Sequence, residues 1–195
     1  TGGKKSLDDF AKAFFGVESG RVSPLGYTFD DVVAALNGIV AHDWASFLRE
    51  RLDNNEKAPL DGFERGGYKL VYTDKPNDSA GRRDAGGADF TYSLGLGVNK
   101  DMKITSVLWN SPAFDAGLAS SMSIVAVNGS AAKPDGLKRA IIANQKTGTP
   151  ITLLVNDLDS IKPFTIDYRG GLRYPHLERI KDRPDTLNAI LAPKP

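Results

Sequence analysis

The chain has no cysteine and only two histidines among its 195 residues. The absence of cysteine excludes disulfide bonds, thiolate metal sites and a cysteine nucleophile. It is compatible with both the cytoplasm and the bacterial periplasm, so the compartment stays open. His42 and His176 lie far apart in the sequence, and no His-Glu-x-x-His motif is present. Because a zinc site needs closely spaced ligands, we expect both histidines to be structural or solvent-facing, and no cofactor in this chain.

The sequence also lacks an excess of either charge and any long apolar run. Lys and Arg total 25 against 24 Asp and Glu, which gives a net charge of +1. Such a balance provides no global field for nucleic acid or a membrane surface, so neither is an expected partner. The apolar runs are too short to span a bilayer, and no signal peptide is visible. Because the chain starts without Met, we interpret it as a piece of a longer protein.

Motifs for phosphate binding and for hydrolysis are missing as well. Gly95 and Gly97 are spaced by one residue, but the third glycine of the dinucleotide fingerprint is absent and a strand follows instead of a helix. There is no Walker-type Gly-Lys-Ser/Thr and no Gly-x-Ser-x-Gly turn. We therefore expect this chain by itself not to be an enzyme.

Three segments near the N-terminus have the periodicity of amphipathic helices. Residues 6–15 and 28–41 each begin with a capping residue, Ser6 and Thr28, followed by aspartates in the first turn. Residues 43–54 continue the pattern, and this third helix is expected to bury the side chains of Trp44, Phe47, Leu48 and Leu52. The broad apolar faces of the helices favour a larger neighbour.

From residue 68 onward, short apolar segments alternate with turns, which predicts strands. The predicted strands are 68–73, 89–98, 102–109, 123–128, 151–156 and 163–168. Two helices are expected between them, at 111–118 and 135–145, and a short one near 185–191. Strands interleaved with two helices indicate an α+β fold. Residues 75–89 contain no large apolar side chain before the strand and read as a mobile loop or linker.

Three motifs follow one another in the second half of the chain. The first is Ser93-Leu94-Gly95-Leu96. The second has two parts, Ser111-Pro112-Ala113 and Ala116-Gly117-Leu118. The third runs from Ile124 to Gly129. Together they resemble a PDZ domain, in particular those attached to bacterial proteases. The resemblance covers roughly residues 90–168 and implies a PDZ-like, partly open β-barrel with two helices.

Peptide capture by such a loop needs backbone amides that converge on a carboxylate, and glycine permits the required turn. The strand after the loop would offer an open edge to which a peptide adds as an extra strand. The expected peptide-binding residues are Ser93, Leu94, Gly95, Leu96, Gly97 and Val98 from the loop and strand, and Leu137, Ala140 and Ile141 from the facing helix. The alternative is that these residues belong to the core. The groove is expected to be open, or filled by the tail from Arg173 or by strand 68–73.

The sequence departs from the family pattern in three places. Ser120-Ser121-Met122 stand where the family usually has Pro-Gly-Asp, and Pro134 to Gly136 replace the histidine that opens the binding helix in one ligand class. The basic residue that often assists carboxylate binding has no counterpart directly before the loop. The resemblance therefore implies the fold more strongly than it implies a C-terminal carboxylate ligand.

The flanking segments are similar to another family. Residues 6–16, 27–53, 66–74 and 170–193 look like the C-terminal half of the bacterial glycyl aminopeptidase family of zinc metallopeptidases. Family members carry a β domain, a thermolysin-like catalytic domain with His-Glu-x-x-His, a helical portion and a PDZ domain. The resemblance implies that this chain holds only the last two, and that zinc is bound in the missing catalytic domain.

These observations predict four segments: a helical segment over 1–66, a strand and flexible linker over 67–89, a PDZ-like domain over 90–170, and a surface-packed tail over 171–195. The first hypothesis is a non-catalytic C-terminal fragment of an aminopeptidase-like metallopeptidase. Its PDZ domain would bind peptide or substrate, or would dock on the catalytic domain. The alternative is a free-standing PDZ adaptor that binds the C-termini of partner proteins. The peptide ligand and the oligomeric state are left open.

Overall fold

The computed structural model describes residues 4–53, 59–80 and 86–193. The chain forms two compact units, Thr1–Leu60 and Asp61–Pro195, which we call the helical unit and the mixed unit. In the described part of the chain, no helix is long and apolar enough to cross a bilayer.

The helical unit contains α1 (Leu7–Phe15), α2 (Phe29–Ile39) and α3 (Trp44–Asp53), which confirms the three predicted helices. The first two begin with complete capping boxes at Ser6 and Thr28. The reciprocal bonds satisfy amides that the first helical turn leaves without a partner. The sequence therefore sets the start of both helices by local hydrogen bonds.

Burial within the helical unit is shallow. Leu36 is the buried residue of α2, whereas α1 and α3 contain none. Leu52 is 67% exposed, so the prediction that α3 buries all four of its large apolar residues is wrong. Aromatic rings instead pack on one another near the surface, with Phe14 in ring contact with Phe10, Phe15 and Tyr27.

Within the described residues, the mixed unit contains the strands and those further helices whose full extent is described. In chain order they are α4 (Asp61–Arg65), β1 (Tyr68–Thr73), β2 (Gly87–Phe90), β3 (Leu96–Asn99), β4 (Ile104–Val107), α5 (Pro112–Asp115), β5 (Ser123–Val127), β6 (Ser130–Ala131), α6 (Pro134–Thr147), β7 (Ile151–Asp157), β8 (Ser160–Ile166), β9 (Tyr174–Arg179) and α7 (Thr186–Leu191).

The strands form three open antiparallel sheets, with orders β1-β9, β2-β3-β4 and β6-β5-β7-β8. Among the described residues no sheet closes into a barrel. Helix α6 presents Leu137, Ala140, Ile141 and Asn144 as its buried residues, and its apolar residues join side chains of β3, β5 and β7 in one core cluster. This arrangement confirms an α+β fold of the PDZ-like kind.

Two local predictions need correction. The apolar segment 89–98 is not one strand, because residues 91–95 form the loop of a hairpin between β2 and β3. The predicted loop 75–89 contains the first residues of β2, and Ala80 in it is only 2% exposed. The rest of that prediction, over residues 81–85, lies outside the described residues.

The last segment of the chain carries strand β9, which pairs with β1 from Tyr68↔Arg179 to Thr73↔Tyr174. Tyr68 Oη donates a hydrogen bond to Asp185, which caps α7. Burial and this bond raise the pKa of Tyr68. Residues more than a hundred positions apart in sequence are therefore joined side by side.

Candidate peptide-binding groove

The loop between β2 and β3 contains backbone amides that converge, but two of them already donate to the chain's own backbone. The N–H groups of Ser93 and Gly95 both donate to the carbonyl oxygen of Phe90, each at 3.0 Å. Gly95 adopts a positive φ of 76°, a conformation that glycine reaches without steric cost. The carbonyl oxygen of the chain's own Phe90 thus accepts hydrogen bonds from two of the loop amides that were predicted to bind a ligand carboxylate.

Strand β3 has no open edge, which corrects the sequence-based expectation. One edge pairs with β4 and the other with β2, in antiparallel register from Gly87↔Asn99 to Phe90↔Leu96. Strand β2 runs toward the loop, antiparallel to β3, as a C-terminal peptide ligand of the predicted site would. The hairpin connection holds β2 there, because a five-residue loop leaves its strands adjacent.

The predicted binding residues are brought together, but in the core. Leu94, Leu96, Leu137 and Ile141 are completely buried, and Ser93, Val98 and Ala140 are between 4% and 6% exposed. Phe90, which is 2% exposed, belongs to the same buried cluster. The residues expected to line a ligand pocket are therefore buried in the same core cluster as Phe90.

Neither of the predicted internal occupants fills the edge of β3. Strand β1 pairs with β9 in a separate sheet. The tail contacts the loop but does not pair with the edge of β3. The contact is a hydrogen bond from the Arg173 N–H to Ser93 Oγ at 3.1 Å. Sequence reasoning missed β2 because its sequence, Gly-Ala-Asp-Phe, consists mainly of residues that are depleted in strands. Phe90, the large apolar residue directly before the loop, was the available signal.

The other two motifs support the loop and the sheet beside it. The Leu108 N–H donates to Gly95 O at 2.8 Å, and the Ala113 N–H donates to Leu94 O at 2.9 Å. Ser111 caps α5 by accepting a hydrogen bond from the Phe114 N–H. The Asn128 side chain accepts from the Thr152 N–H at 2.9 Å and fastens β5 to β7. The motifs that carry the family resemblance are therefore structural supports of the loop and sheet.

The side chains of the described residues do not form a zinc site. No cluster of three or more His, Asp or Glu residues suited to a metal ion exists among the described residues. The His42 ring contacts the rings of Trp44 and Phe47, and His176 Nε2 lies 2.8 Å from the Lys75 carbonyl oxygen. Both histidines thus take part in local packing or hydrogen bonding, each within its own unit.

The fold and loop define a mixed unit of PDZ-like architecture that follows a helical unit, with the edge of the loop strand already paired. A solved structure shares this fold over most of the chain. It is an aminopeptidase N family protein from Idiomarina loihiensis, with a TM-score of 0.57 and 21% identity over 86% of this chain. The chain spans 29% of the length of that protein.

Another solved structure with similarity is the HtrA3 PDZ domain bound to a phage-derived ligand, FGRWV. It matches 57% of this chain and 92% of its own length, with 16% identity and a TM-score of 0.29. No protein-family model matches the chain, and the search of curated proteins gives no match.

Proposed function

We propose that this chain is a non-catalytic region of an aminopeptidase-like zinc metallopeptidase, in which the PDZ-like unit docks on the rest of the protein. The fold shared with part of an aminopeptidase N family protein, across 86% of this chain, carries the proposal. The sequence adds support, because it contains no His-Glu-x-x-His. The catalytic zinc would be held by residues outside this chain.

The pairing of β3 with β2 supports an internal role rather than capture of free C-terminal peptides. A peptide that added to β3 would first have to displace β2 and take the Phe90 ring out of the core. Exposing a phenylalanine side chain costs about 1.5–3 kcal/mol. Since each 1.4 kcal/mol corresponds to about a tenfold change in affinity, this step alone weakens binding roughly tenfold to a hundredfold.

The surface of the helical unit supports association with a further part of the protein. Phe15 is 70% exposed and Tyr27 is 65% exposed, next to Leu25 at 48%. Helix α1 buries none of its residues. An amphipathic helix that leaves large apolar side chains exposed, as α1 leaves Leu7 and Phe15, is usually completed by a partner. The parent peptidase would provide that partner.

The proposal is tested first on the chain as it stands. Zinc analysis after metal loading and an aminopeptidase assay are both expected to be negative; stoichiometric zinc or turnover would contradict the proposal. The reading frame upstream should encode a His-Glu-x-x-His motif, and its absence over the preceding few hundred residues would also overturn it.

A peptide titration separates docking from the adaptor alternative. A panel of peptides is offered with free C-terminal carboxylates and, as matched controls, with amidated C-termini. We expect no preference for the free carboxylate and no change in the amide signals of Ser93 and Gly95. Carboxylate-dependent binding that shifts those two amide signals would favour an adaptor that binds the C-termini of partner proteins.

A further inference from the structure

Because β2 fills the edge of β3, the PDZ-like unit has a different groove, one strand further out. This groove lies between β2 and the first turns of α6, and its volume is about 770 Å³. Its strand wall consists of Gly87, Ala88 and Phe90. Its other lining residues are Lys100, Lys133, Pro134, Asp135, Lys138, Arg139 and Tyr174. We call it the outer groove.

The outer edge of β2 has backbone groups suited to strand addition. The Lys100 N–H donates to Gly86 O at 3.1 Å. In an antiparallel ladder, residues alternate between facing the partner strand and facing away from it. Residues 86, 88 and 90 therefore direct their backbone groups toward β3, and Gly87 and Asp89 direct theirs outward. Among the described residues, no strand pairs with that outer edge.

The outer groove is strongly cationic. Among the described residues that line it, four are positive, Lys100, Lys133, Lys138 and Arg139, and one, Asp135, is negative. The whole chain has a net charge of only +1, so positive charge is concentrated here. Within the described part of the chain, none of the four cations forms an ion pair. Asp89, the carboxylate of β2, lines the opposite face of the sheet.

We propose that the outer groove binds an extended acidic peptide segment, which adds as a strand to β2 with its carboxylates toward α6. Strand addition provides backbone hydrogen bonds at the edge, and side chains on alternate residues of the ligand provide specificity. Charge complementarity to Lys138 and Arg139 on α6 favours acidic residues in the ligand and speeds association. The segment needs no free C-terminus, because the loop amides of Ser93 and Gly95 are occupied by Phe90.

The test uses the chain as it stands and octapeptides that alternate Glu with Val, acetylated and amidated so that no terminal charge remains. Matched peptides carry Gln or Lys in place of Glu. We expect binding in the order Glu, then Gln, then Lys, with affinity for the Glu peptide falling as salt is raised. A central proline in the Glu peptide should weaken binding at least tenfold, because it removes a ladder N–H.

The location is tested by paired variants of α6. The double variant Lys138→Gln, Arg139→Gln is expected to weaken binding of the Glu peptide about fivefold or more. The control Lys146→Gln neutralises a cation in the last turn of the same helix and should leave binding unchanged. Chemical shift changes should concentrate at Gly87 to Phe90.

Several outcomes would overturn the outer groove proposal. One is equal affinity for the Glu and Gln peptides; another is an unchanged affinity in the double variant. Shifts confined to Leu96 to Asn99 would mean that the peptide displaces β2 instead. Tighter binding of a single-stranded oligonucleotide than of the Glu peptide would assign the cationic wall to nucleic acid. Because the peptides carry no terminal carboxylate, failure here leaves the zinc and carboxylate tests of the proposed function unaffected.

Discussion

At the residue scale, Gly95 connects the loop to the rest of the mixed unit. Its φ of 76° lies in the left-handed region, where a side chain costs about 1–2 kcal/mol. A Cβ placed on Gly95 would lie 2.1 Å from Ser111 Cβ, which is far inside contact distance. The glycine is thus required twice, by the backbone conformation and by the close approach of the Ser111 cap.

We predict that Gly95→Ala destabilises the mixed unit by roughly 1–3 kcal/mol more than Gly129→Ala does. Gly129 has nearly the same φ, 78°, and a Cβ there meets nothing within 4 Å. The comparison therefore removes the conformational cost and leaves the overlap with Ser111. Urea unfolding of the two variants measures the difference, and equal losses of stability would show that Ser111 yields without cost.

Phe90 is a second residue whose substitution is expected to destabilise the mixed unit. Its side chain is 2% exposed within the core cluster, and truncating a buried phenylalanine to alanine costs about 3–5 kcal/mol. Phe90→Ala should lower the stability of the mixed unit by that amount in urea unfolding. Tyr92→Ala is the control, because Tyr92 lies in the loop directly after β2 and is 42% exposed. Comparable losses in both variants would mean that Phe90 does not anchor β2.

At the scale of elements, the helices of the helical unit depend on their caps. Asp31 accepts a hydrogen bond from the Thr28 N–H at 2.8 Å, and this bond holds the pKa of Asp31 below its ordinary value of 3.8. Asp9 is related to Ser6 in the same way, and its pKa is likewise lowered. Two short helices thus have charged N-terminal caps that titrate in acid.

The sign of the pH dependence follows from these lowered values. The carboxylates bind protons less readily in the folded state than in the unfolded state, so their contribution to stability is present above pH 3.8. It is lost as the pH falls further, through the folded pKa. We predict that helix α2 loses less stability on acidification in Asp31→Asn than in the unchanged chain. The NMR amide signals of α2, followed as the pH is lowered, measure this loss.

Asp30→Asn is the control for the cap. It removes one negative charge from the same first turn but leaves the hydrogen bonds between Asp31 and Thr28 in place. The acid-induced loss in α2 should therefore persist in this variant. An identical response in Asp30→Asn and Asp31→Asn would attribute the effect to helix dipole and net charge rather than to the capping box.

At the scale of the whole molecule, the last segment is part of the mixed unit. Leu172 and Tyr174 are 8% and 4% exposed and belong to its core cluster, and β9 is the pairing partner of β1. The sequence predicted a tail over residues 171–195 that packs along the surface. In the structure, this segment instead contributes strand β9 and two core side chains to the mixed unit.

Truncation after Gly170 is therefore predicted to destabilise the mixed unit by at least about 3 kcal/mol, since each large side chain removed from the core contributes about 1.5–3 kcal/mol. Truncation after Arg179 keeps β9 and both core residues, and should cost much less. Urea unfolding of both truncated chains measures the effect. A chain ending at Gly170 with unchanged stability would show that the mixed unit folds without β9.

Much of the local structure was predictable because it depends on residues close in sequence. The caps at Ser6 and Thr28, the turn at Gly95 and the helix from Pro134 to Thr147 all follow from short-range patterns. The PDZ-like order of motifs was also visible. The peptide-binding role of the loop remains a prediction, whereas the expected open edge of β3 is wrong.

The sequence by itself determined where the capped helices begin and where the turn at Gly95 lies, because caps, glycines and apolar periodicity act within a few residues. Only the tertiary structure decided which strand lies against β3, because strand pairing is a contact between segments and leaves little trace in either one. Gly-Ala-Asp-Phe has weak strand propensity, and the hairpin and the burial of Phe90 place it at that edge. Because of the same pairing, the accessible groove of the mixed unit is the outer groove, between β2 and the positively charged first turns of α6.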